Sequence, residues 1–322
     1  MSLLSHLWTT IPRLRHAVRP RPVPESQPWE VWIDDPRAGR VRLNGRLQRE
    51  AGTEEALLVV HGLGGSIGSH YMGRIAWEAR RAGLTCLLLN LRGSDREGED
   101  FYHAGLTADA HAALASPELE AYSHLYLLGY SLGGHVVLRL ATEEADPRLR
   151  AAAAVCSPLD LALSQRLIDA PAAWIYRYYL LRALNQIYAG VAARRPVPYP
   201  VEAARRIRTI REWDDRIVAP RHGFADASDY YARMSVAQRL EGLRVPALLL
   251  NAEHDPMVSA AAVRPLARAP LLTTRFLARG GHVTFPARIE AGLVPDGGPQ
   301  PLHSPLGLEA QLLAWLRSHR PG

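Results

Sequence analysis

The sequence predicts an α/β fold: a mostly parallel central sheet flanked by helices, with a helical cap inserted between two of its strands. Three observations lead there. Runs at 56–60, 84–89, 125–128 and 247–251, apolar apart from Thr85 and Asn251, read as strands covered on both faces. Stretches with apolar residues at helical spacing alternate with those runs, as strand–helix–strand crossovers require. Residues 159–242 then break the alternation, being rich in arginine and aromatics, mostly helical in pattern, and interrupted at Pro196-Val197-Pro198-Tyr199-Pro200. The implied organisation is an N-terminal arm packed on the body (1–28), a first part of the core (29–158), the cap (159–242) and a second part of the core (243–322).

Taken in order, residues 3–18 carry Leu3, Leu4, Leu7, Trp8, Ile11, Leu14 and Val18 at helical spacing, with Arg13, Arg15 and Arg19 among or beyond them. An interfacial membrane helix would have this pattern. Pro12 interrupts it, which favours a short helix and an arm against the body. Residues 19–28 are proline-rich and extended. Residues 30–33 and 41–46 alternate apolar and polar like antiparallel strands at the sheet's first edge. A helix over 69–82, stopped by Gly83, separates the strands at 56–60 and 84–89, and another near 105–116 precedes the strand at 125–128. The helix 136–141, a strand at 151–155, a strand at 247–251, a helix near 260–268, a strand at 273–277 and a closing helix over 307–318 complete the series.

Composition narrows the function classes. The 322 residues include 38 Lys and Arg, all of them arginine, against 32 acidic residues, for a net charge of +6. The arginines are scattered among acidic residues without a sustained basic run, so nucleic acid is not an expected partner. Cys86 and Cys156 sit in apolar runs and read as small core residues, with no disulfide framework. No stretch reaches the roughly 18 apolar residues of a membrane span, and the N-terminus lacks a signal peptide's apolar centre, so a reducing cytoplasm is expected.

The chemistry gathers where strands end, because ligands of parallel sheets bind at their carboxyl ends. The strand at 125–128 runs into Gly129-Tyr130-Ser131-Leu132-Gly133-Gly134 and then into a helix, the strand–turn–helix context in which Gly-x-Ser-x-Gly exposes a nucleophile. Gly129 and Gly133 leave room for the strained serine. Asp255 follows the strand at 247–251, and His282 follows that at 273–277 through Ala278-Arg279-Gly280-Gly281. His282 would take the Ser131 proton during attack, and Asp255 would hold the imidazole in the useful tautomer. The main-chain N–H groups of Leu132 and of Leu63, in the glycine-rich loop His61-Gly62-Leu63-Gly64-Gly65-Ser66, are the expected oxyanion donors. His254 and Glu253 are poorer choices for base and acid, His61 is expected to shape its loop, and His135 to be a core or wall residue. Histidine spacings typical of zinc sites are absent, so neither a metal nor an organic cofactor is expected.

These residues resemble the α/β-hydrolase superfamily and, more narrowly, the YheT-like hydrolases, over nearly the whole chain. Ser5-His6-Leu7-Trp8-Thr9-Thr10-Ile11-Pro12 is similar to that family's N-terminal signature, with Trp8 in place of glutamine. Further matching blocks are His61 to Ser66, Asn90-Leu91-Arg92-Gly93, Tyr102-His103-Ala104-Gly105, Arg211-Glu212-Trp213-Asp214-Asp215, Ala219-Pro220-Arg221-His222-Gly223-Phe224, Asp229-Tyr230-Tyr231, Asn251-Ala252-Glu253-His254-Asp255-Pro256 and Gly280-Gly281-His282-Val283. The resemblance puts the charge-relay positions on Ser131, Asp255 and His282 and implies a serine carboxylesterase acting on short- to medium-chain, lipid-like esters. The chain departs from the pattern at His135, where the family has asparagine, and in the glycine- and proline-rich stretch 289–305. Two alternatives share the residues: an acyltransferase using the same triad, and a non-catalytic binding protein of the same fold. Trp174, Tyr176, Tyr178 and Tyr179 suggest an apolar acyl pocket, and packing of the cap on itself would explain them equally well.

Overall fold

The computed structural model of the chain describes residues 3–19, 23–143, 146–293 and 307–320. Eight strands form one sheet: β1 (Gln27–Asp35), β2 (Gly39–Gln48), β3 (Glu55–Val60), β4 (Thr85–Asn90), β5 (His124–Tyr130), β6 (Leu149–Val155), β7 (Ala247–Ala252) and β8 (Leu272–Leu277). Their order is β1-β2-β4-β3-β5-β6-β7-β8. β1 and β2 pair antiparallel, with Val31 opposite Leu43, and β2 lies antiparallel to β4. All other pairs are parallel.

The burial of each strand follows its position. β3, β4 and β7 are buried at every residue, as interior strands of a two-sided sheet must be. The first helix, α1 (Leu3–Val18), precedes the sheet, and α2 (His70–Arg81), α3 (Ala108–Leu114) and α4 (Leu132–Leu140) make the first crossovers. After β6 come only helices until β7, among them α5 (Leu161–Asp169), α6 (Trp174–Ala192) and α7 (Ala227–Met234); α8 (Leu308–Arg317) follows β8. Because strand side chains alternate between faces, Leu58 and Val60 join one apolar cluster with Ala110 of α3 and Val137 of α4. Leu57 and Val59 join a second with Met72 of α2 and Leu312 of α8.

One buried charge network ties these layers together. The Arg92 guanidinium donates to Asp35 (2.8 Å), Asp100 (3.1 Å) and Asp109 (2.6 Å), and Arg221 reaches the other oxygen of Asp100 at 2.7 Å. Burial alone would raise the Asp35 carboxyl, but the Arg92 hydrogen bond and the N–H groups of Ala38 and Arg37 outweigh it and hold the group at about 2. The blocks around Arg92 and Arg221 therefore serve to hold the helical segment against the sheet.

Pro12 does not interrupt the first helix as expected: α1 runs unbroken for 16 residues with the proline inside it. A proline costs its own N–H bond and crowds the preceding turn. Contacts of α1 with the body, including the His6 Nδ1 to Tyr176 hydroxyl bond at 2.5 Å, compensate on its inward side. Of the glycine- and proline-rich stretch, residues 294–305 lie outside the described residues. Among the described residues, no helix is long and apolar enough to cross a membrane.

Candidate functional site

Ser131 stands between β5 and α4 with φ 53° and ψ −119°, a conformation that L-residues rarely adopt. The neighbouring glycines make it possible. A methyl group on Gly129 would lie 2.1 Å from the Gly133 carbonyl oxygen, and one on Gly133 would lie 2.2 Å from that of Val60. β5, α4 and β3 thus approach more closely than any side chain allows, which drives the serine out at the strand's carboxyl end. The Ser131 N–H still completes the ladder by donating to Val155 at 2.8 Å.

His282 Nε2 lies 2.9 Å from Ser131 Oγ, and its Nδ1 lies 2.9 Å from Asp255 Oδ2 and 3.2 Å from Oδ1. The Asp255 carboxylate is buried, and the N–H groups of Met257 and Val258 both donate to Oδ1, at 2.8 and 2.9 Å. Bonds of this kind fix the position of the acid. With Nδ1–H directed at Asp255, Nε2 presents its lone pair to the serine proton.

The other predicted residues fall as follows. Leu132 is the first residue of α4, where an N–H has no partner within the helix. Leu63 sits in a loop fixed on either side: Gly62 N–H donates to the Tyr71 hydroxyl at 3.0 Å, and Gly64 N–H to the Tyr102 hydroxyl at 2.7 Å. His61 is wholly buried, bonded through Nδ1 to the Gly62 carbonyl and through Nε2 to Ser94 Oγ and the Leu91 N–H. Burial lowers it to about 4 against the opposing effect of the Gly62 bond, so it shapes the loop as a neutral ring. His135 is a core residue whose ring nitrogens face the Pro158 and Met234 carbonyls, both at 2.9 Å. His254 is exposed, and Glu253 pairs with Arg264 at 2.6 Å.

A cavity of about 850 Å³ opens at Ser131 and His282. Leu63, Leu132, Tyr176, Leu180, Ile187 and Trp213 are among its walls. Of the four aromatics expected there, Tyr176 and Tyr179 line it, whereas Trp174 and Tyr178 point to solvent.

Sequence reasoning missed three features. Thr9 of α1 accepts the His282 N–H at 2.8 Å and donates to the Ser5 carbonyl at 2.8 Å, so the first helix holds the histidine loop. Gly281 permits this, since a methyl group there would meet the Ser5 carbonyl oxygen at 2.4 Å. Asp214 also lines the cavity and accepts the Tyr231 hydroxyl at 2.6 Å. Burial pushes its carboxyl up to about 7, with Tyr231 opposing and Asp169 and Asp215 adding to the rise. The only sequence signal for it was its membership of a matching block. Cys156, third, follows β6 as Ser131 follows β5, and likewise at φ 53°. Its thiol is buried, and ligand atoms of Cys156, Asp255 and His282 lie within 4.8 Å of one another. A metal held there would take His282 from Asp255.

The family described as Alpha/beta hydrolase family matches residues 57–291. The chain is 29% identical to YheT of Escherichia coli (strain K12), provisionally named an esterase, over 98% of this chain and 90% of that one. It is 26% identical to a monoacylglycerol lipase of Saccharomyces cerevisiae over 70% of this chain and 54% of the lipase. Among solved structures, the alpha/beta hydrolase GrgF from Penicillium sp. sh18 superposes with a TM-score of 0.55 at 18% identity, covering 91% of this chain and 99% of that one, a likeness of fold.

Proposed function

The chain belongs to the alpha/beta hydrolase family, and from that premise we propose that it hydrolyses carboxylic esters through an acyl-enzyme formed on Ser131. The observation that carries this reading is the unbroken line from Asp255 through His282 to Ser131, opening into an apolar cavity. Ser131 Oγ attacks the ester carbonyl as its proton passes to His282 Nε2. The Leu63 and Leu132 N–H groups receive the developing oxyanion. Collapse of the tetrahedral species breaks the bond to the alcohol, which leaves with the proton from His282. Water then repeats the sequence, releasing the acid and restoring the serine. Asp255 stabilises the imidazolium formed at each stage.

The esterase and lipase names of the relatives support ester chemistry. A cavity of about 850 Å³ lies within the roughly 300–1,000 Å³ usual for ligand sites and has room for an acyl chain, and a short or medium chain is what the family resemblance favours. In this reading residues 159–242 cap the site, 29–158 and 243–322 form the core, and 1–28 are the arm.

Hydrolysis of p-nitrophenyl esters across acyl lengths tests it. Ser131→Ala and His282→Ala are each expected to lower kcat by about 10⁴–10⁶-fold, and Asp255→Asn by about 10⁴-fold. No turnover of any ester by folded wild-type protein would overturn the proposal in favour of a binding role. Predominant transfer of the acyl group to added alcohols in place of water would make the protein an acyltransferase.

A further inference from the structure

Leu4, Leu7, Ile11, Leu14 and Val18 recur at intervals of three and four, which aligns them on one face of α1. In a helix packed on a globular body that face belongs inward. Here it points out: Leu4 is 66% exposed, Leu14 59% and Val18 87%, while Ser5 is buried and Thr9 turns toward His282. The first two turns of α6 lie alongside and add Trp174, 60% exposed, and Tyr178, 55%, with Ile175 and Tyr179 also exposed. The two helices touch through His6 and Tyr176, and the Arg13 guanidinium stacks 4.8 Å over the Tyr179 ring. Monomeric soluble proteins seldom expose contiguous apolar surface of this kind without using it.

The patch borders the cavity. Arg13, Leu14, Ile175 and Tyr179 are exposed and also line the cavity, so the cavity reaches the surface between these helices. Charge identifies what the patch fits. Neither α1 nor α6 contains an acidic residue, whereas Arg13, Arg15 and Arg19 are exposed at the first helix and Arg182 on the second. A second copy of the chain, paired through the α1 stripe, would bring these arginines together without a compensating carboxylate. An anionic lipid surface would neutralise them while its acyl boundary accepted the leucines, and tryptophan and tyrosine favour that depth.

We propose that α1 and the start of α6 dock the protein on an anionic phospholipid bilayer, with the cavity mouth facing the lipid. This docking goes beyond ester hydrolysis and requires no turnover, so the two fail separately. The test is flotation of the full chain with vesicles of phosphatidylcholine alone or mixed with phosphatidylglycerol. The wild type is expected to float with the anionic vesicles and to be released by high salt. Leu7→Asp with Tyr178→Asp, neither of which lines the cavity, is expected to weaken that partition at least about tenfold. The double variant should keep wild-type thermal stability and wild-type turnover of a soluble ester. Wild-type protein remaining with the aqueous fraction in both mixtures would overturn the proposal. So would a wild-type dimer in light scattering that the double variant dissociates, since a second copy would then cover this face.

Discussion

Asp214 is a cavity residue whose carboxyl departs far from its ordinary behaviour. Its carboxyl is raised to about 7 by burial, with Tyr231 holding one oxygen. Between pH 4 and pH 7 the unfolded chain has released this proton and the folded chain has not. The folded state binds more protons there, so this group's contribution to stability falls as pH rises, and it is constant above pH 7. Asp214→Asn removes that loss and keeps an acceptor for Tyr231. The variant is expected to be more stable than wild type at pH 8 by roughly 2–4 kcal/mol and indistinguishable from it near pH 4, read from denaturant melts. Equal stability at pH 8 would refute the buried-acid account. That Ser131, Asp255 and His282 each follow a strand was legible in sequence, as was the steric purpose of the glycines flanking the serine. The burial of Asp214 and the strained backbone of Cys156 were not, because both depend on what the fold brings against a residue.

At the scale of elements, α1 does more than lie against the body. Thr9 Oγ1 accepts the His282 N–H, and Gly281 lets the two backbones meet. Thr9→Val leaves that buried donor unpaired, at a cost of about 1–3 kcal/mol. As a positioning residue, its loss is expected to lower kcat about tenfold or more with KM little changed, because a loosened imidazole affects the reacting geometry more than substrate binding. Thr9→Ser should restore kcat; an unchanged kcat in Thr9→Val would refute the role. The period of α1 was readable, but which side it buries was not, since an amphipathic pattern ordinarily places its apolar stripe inward. Arg92 shows the same limit. Arg92→Ala leaves Asp109 and Asp100 buried without their main partner, and a loss of about 3–5 kcal/mol in denaturant melts is expected.

For the whole molecule, strand–helix alternation revealed the parallel sheet, because buried strands have a composition that no exposed segment can share. The pairing order β2-β4-β3 lies in contacts distant along the chain and could not be read from it. The assembled body also buries several histidines as neutral rings. Burial lowers His61 and His222 to about 4 and His70 to about 3, and it depresses His103 as well. Below pH 6.5 the unfolded chain protonates these rings while the folded chain does not. Stability is therefore lost as pH falls from 6.5 toward 4, outweighing the single opposing proton of Asp214. Melting temperatures measured across that range are expected to drop steeply, with net proton uptake on unfolding at pH 5; a flat profile would contradict the burial of neutral histidines.

The central claim, that Ser131 is an activated nucleophile, is tested most directly by intact-mass analysis after treatment with a fluorophosphonate. The account predicts one adduct per chain, mapped to the peptide containing Ser131 and absent from both Ser131→Ala and His282→Ala. An adduct on another residue, or none on folded wild-type protein, would contradict it.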